Sequence, residues 1–243
     1  MLTVEEIVSH LQALANPENV AGMKRYAVGG QHTLGISVAT LRKIAKEIGR
    51  DRQIAAGLWA TGIHEARILA SIVDDPSLVT KRQMEEWVMG FDSWDLTDQV
   101  CMNLFDKTSF AWEKAIEWAG RGEEFQKRAG FTLMACLAWH DKKAPAERYY
   151  PFFPVIEGAC DDGRNFVKKA ISWALRKMGA RDQALNKLAI ETAKRIQKQE
   201  SSSARWIARD VLTELESQKV QQKLSNAAKR SPSLKNSGSR RKA

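Results

Sequence analysis

Apolar residues recur at three- and four-residue spacing from one end of the chain to the other, the period of helices with one buried face. No segment alternates apolar and polar residues as a half-buried strand does. Start signals precede the first patterns. Thr3 and Glu6 form a capping box, Asn16-Pro17 supplies an N-cap followed by proline at the first helical position, and Ser37 can cap "VATLRKIAKEI". Gly49 can end that helix. Further patterns cover roughly 52–60, 64–74, 81–90, 94–105, 109–120, 124–139, 146–160, 164–178, 182–199 and 203–225. The connections are short, except "GGQHTLGIS" at 29–37.

About a dozen short helices joined by tight turns predict an all-α chain of stacked pairs, an α-solenoid and not a four-helix bundle. A weak repeat supports this. A basic residue followed by apolar helix recurs at Arg25, Arg67, Arg128, Lys169 and Arg205, with spacings of 42, 61, 41 and 36 residues. The long interval divides into 31 and 30 at Asp98. These periods approach the roughly 40 residues of HEAT and armadillo repeats. One domain over residues 1–229 is expected. "RSPSLKNSGSRRKA" (230–243) lacks periodicity and is expected to be a flexible basic tail.

Charge changes the picture, because it is uneven. Residues 1–121 hold 13 Lys+Arg and 16 Asp+Glu; residues 122–243 hold 25 and 13. A field of net +12 on the second half attracts polyanions, nucleic acid first. Three cysteines without CxxC spacing and four scattered histidines suggest neither a disulfide framework nor a metal site. No cofactor, metal or membrane partner is expected, and the chain reads as a cytoplasmic monomer.

If the second helix of each pair lines one surface, that surface carries the row of cations and, in its middle, one carboxylate, Asp98. A carboxylate facing a polyanion weakens binding unless it is paired or performs chemistry. Pairing with Arg128, with Trp94 in the core, is one reading. The other rests on "SWDLTD" and "KKAISWALRK", where Trp94 and Trp173 each stand beside charged groups at helical spacing. Exposed indoles beside cations suit nucleotides. Trp59, Trp87, Trp112, Trp118 and Trp139 lie among apolar neighbours and are expected to pack.

"NPENVAGMKRYA…LGI", "SWDLTD", "QKRAGFTL" and "KKAISWALR", in that order, resemble the AlkD-type alkylpurine DNA glycosylases over roughly residues 1–215. The resemblance implies a C-shaped stack of HEAT-like repeats with a basic concave face that grips duplex DNA containing alkylated purines. It implies hydrolysis of the N-glycosidic bond of cationic N3- or N7-alkylated purines, without inserting the base into a pocket. It assigns catalysis to Asp98, Trp94, Trp173 and Arg128, with Arg128 holding a phosphate and keeping Asp98 ionised. Tyr26 lies near the lesion strand, and Arg176 joins Arg25, Lys169 and Arg205 as DNA contacts. One departure is Ser93, where the family often has a second tryptophan. The chemistry suits these residues: bond cleavage builds positive charge on the sugar, which a fixed carboxylate and two indole faces stabilise. Two other uses of such a solenoid remain open: a non-catalytic binder of duplex or branched DNA, and a protein-interaction scaffold.

Overall fold

The computed structural model describes residues 2–30 and 32–230. Among them the regular structure is helical, with no strand: α1 (Val4–Ala13), α2 (Pro17–Lys24), α3 (Val38–Ile48), α4 (Arg52–Ala60), α5 (His64–Val73), α6 (Lys81–Met89), α7 (Trp94–Asn103), α8 (Ala111–Ala119), α9 (Glu124–His140), α10 (Phe152–Ala159), α11 (Asn165–Gly179), α12 (Gln183–Gln197), α13 (Ser202–Leu215) and α14 (Gln218–Arg230). Of the tail expected at 230–243, Arg230 ends α14 and residues 231–243 lie outside the described residues.

Local chemistry sets the starts. Thr3 Oγ1 accepts from Glu6 N–H, and the Glu6 carboxylate accepts from Thr3 N–H, the reciprocal box that ties down two otherwise orphaned donors. Asn16, Ser37, Asp51, Thr80, Asp182 and Ser201 cap α2, α3, α4, α6, α12 and α13 through their side-chain oxygens. Two expected helices are interrupted. Residues 146–160 open as a 3₁₀ turn, Ala146–Tyr149, and become α-helical only after Pro151, whose missing N–H suits a helix start. The 203–225 pattern breaks at Glu216 and Ser217 into α13 and α14.

Packing follows a ladder. Helices α3, α5, α7, α9, α11 and α13 each touch the next, forming one layer; α4, α8 and α12 pair with α5, α9 and α13 on its outside. This is the α-solenoid of helical repeats. The repeat positions follow the inner layer: Arg67 on α5, Asp98 on α7, Arg128 on α9, Lys169 on α11 and Arg205 on α13. Helix α9 is the hub, packed against α7, α8 and α11, and every residue from Arg128 to Ala138 is buried. A helix so enclosed needs apolar residues nearly all round. It also needs Gly130: a Cβ there would lie 2.3 Å from the Ala119 nitrogen, so α8 approaches as backbone against backbone.

Much of the tryptophan is core. Trp59 stacks on Trp87 with ring centres 4.1 Å apart, and the series continues through Phe105 to Trp118. Trp112 packs on Tyr149 and Phe152. Trp139 departs from expectation. It is 44% exposed, with Lys177 Nζ 4.9 Å from its ring centre. The inner layer buries α9 only as far as Ala138, so the last turn emerges into solvent.

Candidate nucleic-acid interface

The first turn of α7 organises the region around the quoted tryptophan and aspartates. Thr97 Oγ1 donates to the Ser93 carbonyl (2.8 Å), fixing the start of the helix. Trp94, its first residue, is half-buried and donates its indole N–H to the Tyr26 carbonyl at 3.0 Å. That carbonyl is presented by an unusual turn. After α2 ends, Ala27 adopts φ of 50°, a conformation that costs a non-glycine residue about 1–2 kcal/mol. Val28 N–H then returns to the Met23 carbonyl and closes the end of the helix.

Asp98 lies one turn along, facing α9. Arg128 grips it with two bonds, Nε to Oδ1 at 3.0 Å and Nη2 to Oδ2 at 2.7 Å, and Thr132 Oγ1 donates to Oδ1 at 3.0 Å. A carboxylate offers about four acceptor positions, so this set leaves Oδ2 able to take one more partner. The side chain is 14% exposed and Arg128 only 7%. Burial pushes the Asp98 carboxyl above the ordinary carboxylate range, while the charge and hydrogen bonds of Arg128 and the Thr132 hydroxyl pull against it.

Arg128 also donates Nη1 to the Phe166 carbonyl on α11 (2.5 Å), and its guanidinium lies 5.6 Å from the Trp94 ring centre. Arg128 was expected to hold a phosphate and to keep Asp98 ionised; in this structure it is engaged in the second role. Its donors point to Asp98 and the α11 backbone, because burying that carboxylate requires a fixed cation beside it.

The free cations stand at the rim. A cleft of about 520 Å³ is lined by Lys24, Arg25, Tyr26, Trp94, Arg128 and Lys169, with Asn165 and Phe166. Lys24, Arg25 and Lys169 are exposed, and none has an ion-pair partner among the described residues. Tyr26 is 75% exposed. Cations kept apart from carboxylates at a cleft lined by aromatic rings form a surface for phosphates and bases.

The remaining expected residues are not brought into this cleft. Trp173 sits one turn beyond Lys169 on α11, partly buried against the core, and does not line it. Arg176 is paired with Asp210 (3.3 Å) and Glu214 (2.5 Å), which neutralise it and tie α11 to α13. Arg205 is exposed but turned onto its own backbone, donating to the Gln199 and Glu200 carbonyls just before α13.

A second polar cluster escaped sequence reasoning. Asp95 accepts from Gly29 N–H (3.1 Å) and pairs with His64 Nε2 (2.8 Å), and His64 is 2% exposed. Burial works to lower the His64 pKa, but the Asp95 hydrogen bond and charge outweigh it and the net shift is upward. Burial likewise works to raise Asp95, and His64 overcomes it, leaving that carboxyl low. Next to His64, the wholly buried Glu65 carboxylate accepts the N–H groups of Leu34 (2.8 Å), Gly35 (2.7 Å) and Ile36 (3.3 Å). The long loop is thus clamped to α5 and α7. The available signal was "HEAR", two charged residues opening an otherwise apolar helix.

Stacked helical repeats with an unneutralised cationic cleft define a helical-repeat protein of the nucleic-acid-binding kind. The chain belongs to the DNA alkylation repair enzyme family, whose model matches residues 7–215. Among solved structures, it is similar to a member of a new family of proteins related to the HEAT-like repeat DNA glycosylases with affinity for branched DNA structures. The two are 19% identical, with a TM-score of 0.71, over 88% of this chain and 96% of that one. At that identity the likeness shows the fold. A designed armadillo repeat protein in complex with the peptide (KR)4 also aligns, with a TM-score of 0.36 and 12% identity, over 78% of this chain and 80% of that one. A comparison with curated proteins finds no match.

Proposed function

We propose that the protein is a DNA glycosylase that hydrolyses the N-glycosidic bond of cationic N3- or N7-alkylated purines in duplex DNA. The observation that carries this reading is Asp98: a carboxylate fixed by Arg128 and Thr132, with an acceptor position left over, whose partner Arg128 lies by the Trp94 indole and lines the cleft with Lys24, Arg25 and Lys169. Lys24, Arg25 and Lys169 hold the strand by its phosphates. The bond between purine nitrogen and C1′ breaks with its electron pair going to the purine, which loses its positive charge. The charge left on the sugar is stabilised by Asp98 and by the face of Trp94, and water adds to C1′ and releases a proton. Arg128 acts as a positioning residue that keeps Asp98 oriented and ionised. The substrate's own positive charge makes it a good leaving group, so neutral lesions such as uracil are not released.

The decisive experiment incubates the protein with methylated duplex DNA and measures free 7-methylguanine and 3-methyladenine, beside Asp98→Asn. Release by the wild type that disappears in the variant, with duplex affinity equal or higher, supports the glycosylase. Tight binding without release by either protein overturns it.

A second reading is a binder of branched DNA without glycosylase activity. It is favoured by the two-bond pairing of Asp98 with Arg128, which occupies the carboxylate, and by the description of the structurally similar protein. Tighter binding to a four-way junction than to a duplex at one salt concentration, with no base release, selects it.

A further inference from the structure

The far end of α9 carries an exposed indole that the site above leaves unused. Trp139 is 44% exposed, and Lys177, in the last turn of α11, holds its ammonium 4.9 Å from the ring centre. Lys142 follows α9, and Lys223 stands on α14. Burial, and then the charges of Arg181, Lys223 and Lys177, hold the Lys142 ammonium below its ordinary range. Arg181 is satisfied within the fold: it donates to the carbonyls of Ala138, Asp141 and Ala144 and lies 4.0 Å from Asp182. Asp141 is next to Lys142 in sequence, but its carboxylate accepts the N–H groups of Lys143 and Ala144. Lys142, Lys177 and Lys223 have no ion-pair partner among the described residues. One cation in the last turn of a helix is ordinary, since it offsets the dipole. Several cations crowded together without a carboxylate repel one another, and an anion relieves that repulsion.

This rim is continuous with the cleft. Arg128 and Trp139 are eleven residues apart on α9, which puts them within about 20° of one another around the helix and about 16 Å apart along it. Lys169 and Lys177 span α11 in the same sense, about 12 Å apart along its axis. The inner layer therefore carries unpaired cations beside an indole at both edges: Lys24, Arg25 and Lys169 with Trp94 at one, and Lys142, Lys177 and Lys223 with Trp139 at the other. We infer that the second edge holds the phosphates of the second strand of a duplex whose first strand lies in the cleft, with the Trp139 ring against its sugars. The inference rests on the DNA reading above and adds a second contact surface to it. Two observations carry it. The edges are separated on the scale of a DNA groove, about 12 Å wide for the major one, so the two backbones that border a groove reach both edges at once. The charges also match, because a phosphate backbone supplies the row of anions that these lysines lack, and an indole among cations suits a sugar–phosphate strand.

The test compares two duplexes of one sequence, one with phosphates on both strands and one in which a single strand carries uncharged methylphosphonate linkages. Affinity is measured against salt concentration by anisotropy of an end label. For wild type, the slope of log affinity against log salt should be steeper by about two to three on the fully charged duplex, roughly 0.9 for each phosphate met by the rim. The triple variant Lys142→Gln, Lys177→Gln, Lys223→Gln should lose that excess, its two slopes agreeing within about one, because its intact cleft takes the charged strand of either duplex. Replacing the same three lysines with arginine keeps the charge and should keep the excess. A glutamine variant with the wild-type slope on the fully charged duplex, or an arginine variant that loses the excess as well, overturns the inference and leaves the DNA reading standing. No duplex binding by wild type at low salt removes the DNA reading itself, and the inference with it.

Discussion

Asp95 and Asp98 sit less than one turn apart on α7, and each is paired with a cationic or protonatable side chain from a neighbouring helix of the inner layer. Asp95 looks back to His64 on α5 and to the Gly29 N–H in the loop before α3, and its pKa falls. Asp98 looks forward to α9, where Arg128 and Thr132 hold it, and its pKa rises. The two pairs differ in what they serve. The first closes a loop onto the solenoid and uses a partner that can lose its proton. The second uses a guanidinium that cannot, in a place where burial alone would neutralise the acid. A carboxylate that must stay charged in poor solvent needs a permanent cation; one that only ties down a loop does not.

Removing the permanent cation should have the largest effect. Arg128→Ala leaves Asp98 buried without a cation, held only by Thr132, and should lower stability by about 3–5 kcal/mol, read by urea unfolding. If the variant stays folded, any base release should fall away at higher pH than in wild type, because the Asp98 carboxyl, already raised, rises further without the guanidinium. Loss below about 1 kcal/mol would place the pair among ordinary surface ion pairs and dissolve the contrast.

Asp98→Asn should next reduce release of methylated purines by about 10²–10³-fold, the scale on which one fixed charge-stabilising group acts. Asp95→Asn should leave the rate of release within a few-fold. Equal losses in the two variants would mean that both carboxylates serve one structural purpose.

The Asp95 pair should be worth less, about 1–3 kcal/mol on replacing His64 with Gln, and its contribution should have a window in pH. The folded His64 pKa is raised, so its share is complete below the unfolded value of about 6.5 and is lost as pH rises through the folded value. The folded Asp95 pKa is lowered, so its share is present above about 3.9 and is lost as pH falls through the folded value. The difference in melting temperature between wild type and His64→Gln should therefore be greatest between about pH 4 and 6. A difference that grows above neutral pH would show that His64 is held neutral.

Two smaller effects complete the series. Lys169→Ala and Arg25→Ala should each reduce the salt dependence of duplex binding by about one phosphate equivalent, whereas Arg176→Ala, whose charge is already spent on Asp210 and Glu214, should not. Ala27→Gly should stabilise the protein by up to about 1 kcal/mol by relieving the positive φ, read as a shift in the unfolding midpoint.

The sequence was legible where the physics is local. The Thr3–Glu6 box, the Asn16 and Ser37 caps and the α9 apolar run depend on residues a few places apart, and each is in the structure. The row from Arg67 to Arg205 also falls on successive inner helices, with Asp98 in place of a cation on α7, whereas Arg25, its expected first member, lies just past α2 and outside that layer. That periodicity says which helix carries a cation and nothing about what the cation meets. Arg128 meets Asp98, Arg176 meets Asp210 and Glu214, and Lys169 meets no anion among the described residues; these partners lie some thirty to forty residues apart in sequence. Trp139 departs from its expected packing for the same reason, since the exposure of an indole depends on where the neighbouring helix ends.

By itself, then, the sequence determined an all-helical stack and the half of the chain that carries the positive field, because helix period, capping and net charge are short-range or additive properties. Only the tertiary structure decided which charges remain free, how Asp98 is held, and that Trp139 emerges among unpaired lysines. Those depend on desolvation and on pairing between helices distant in sequence, and no property of a single segment encodes them.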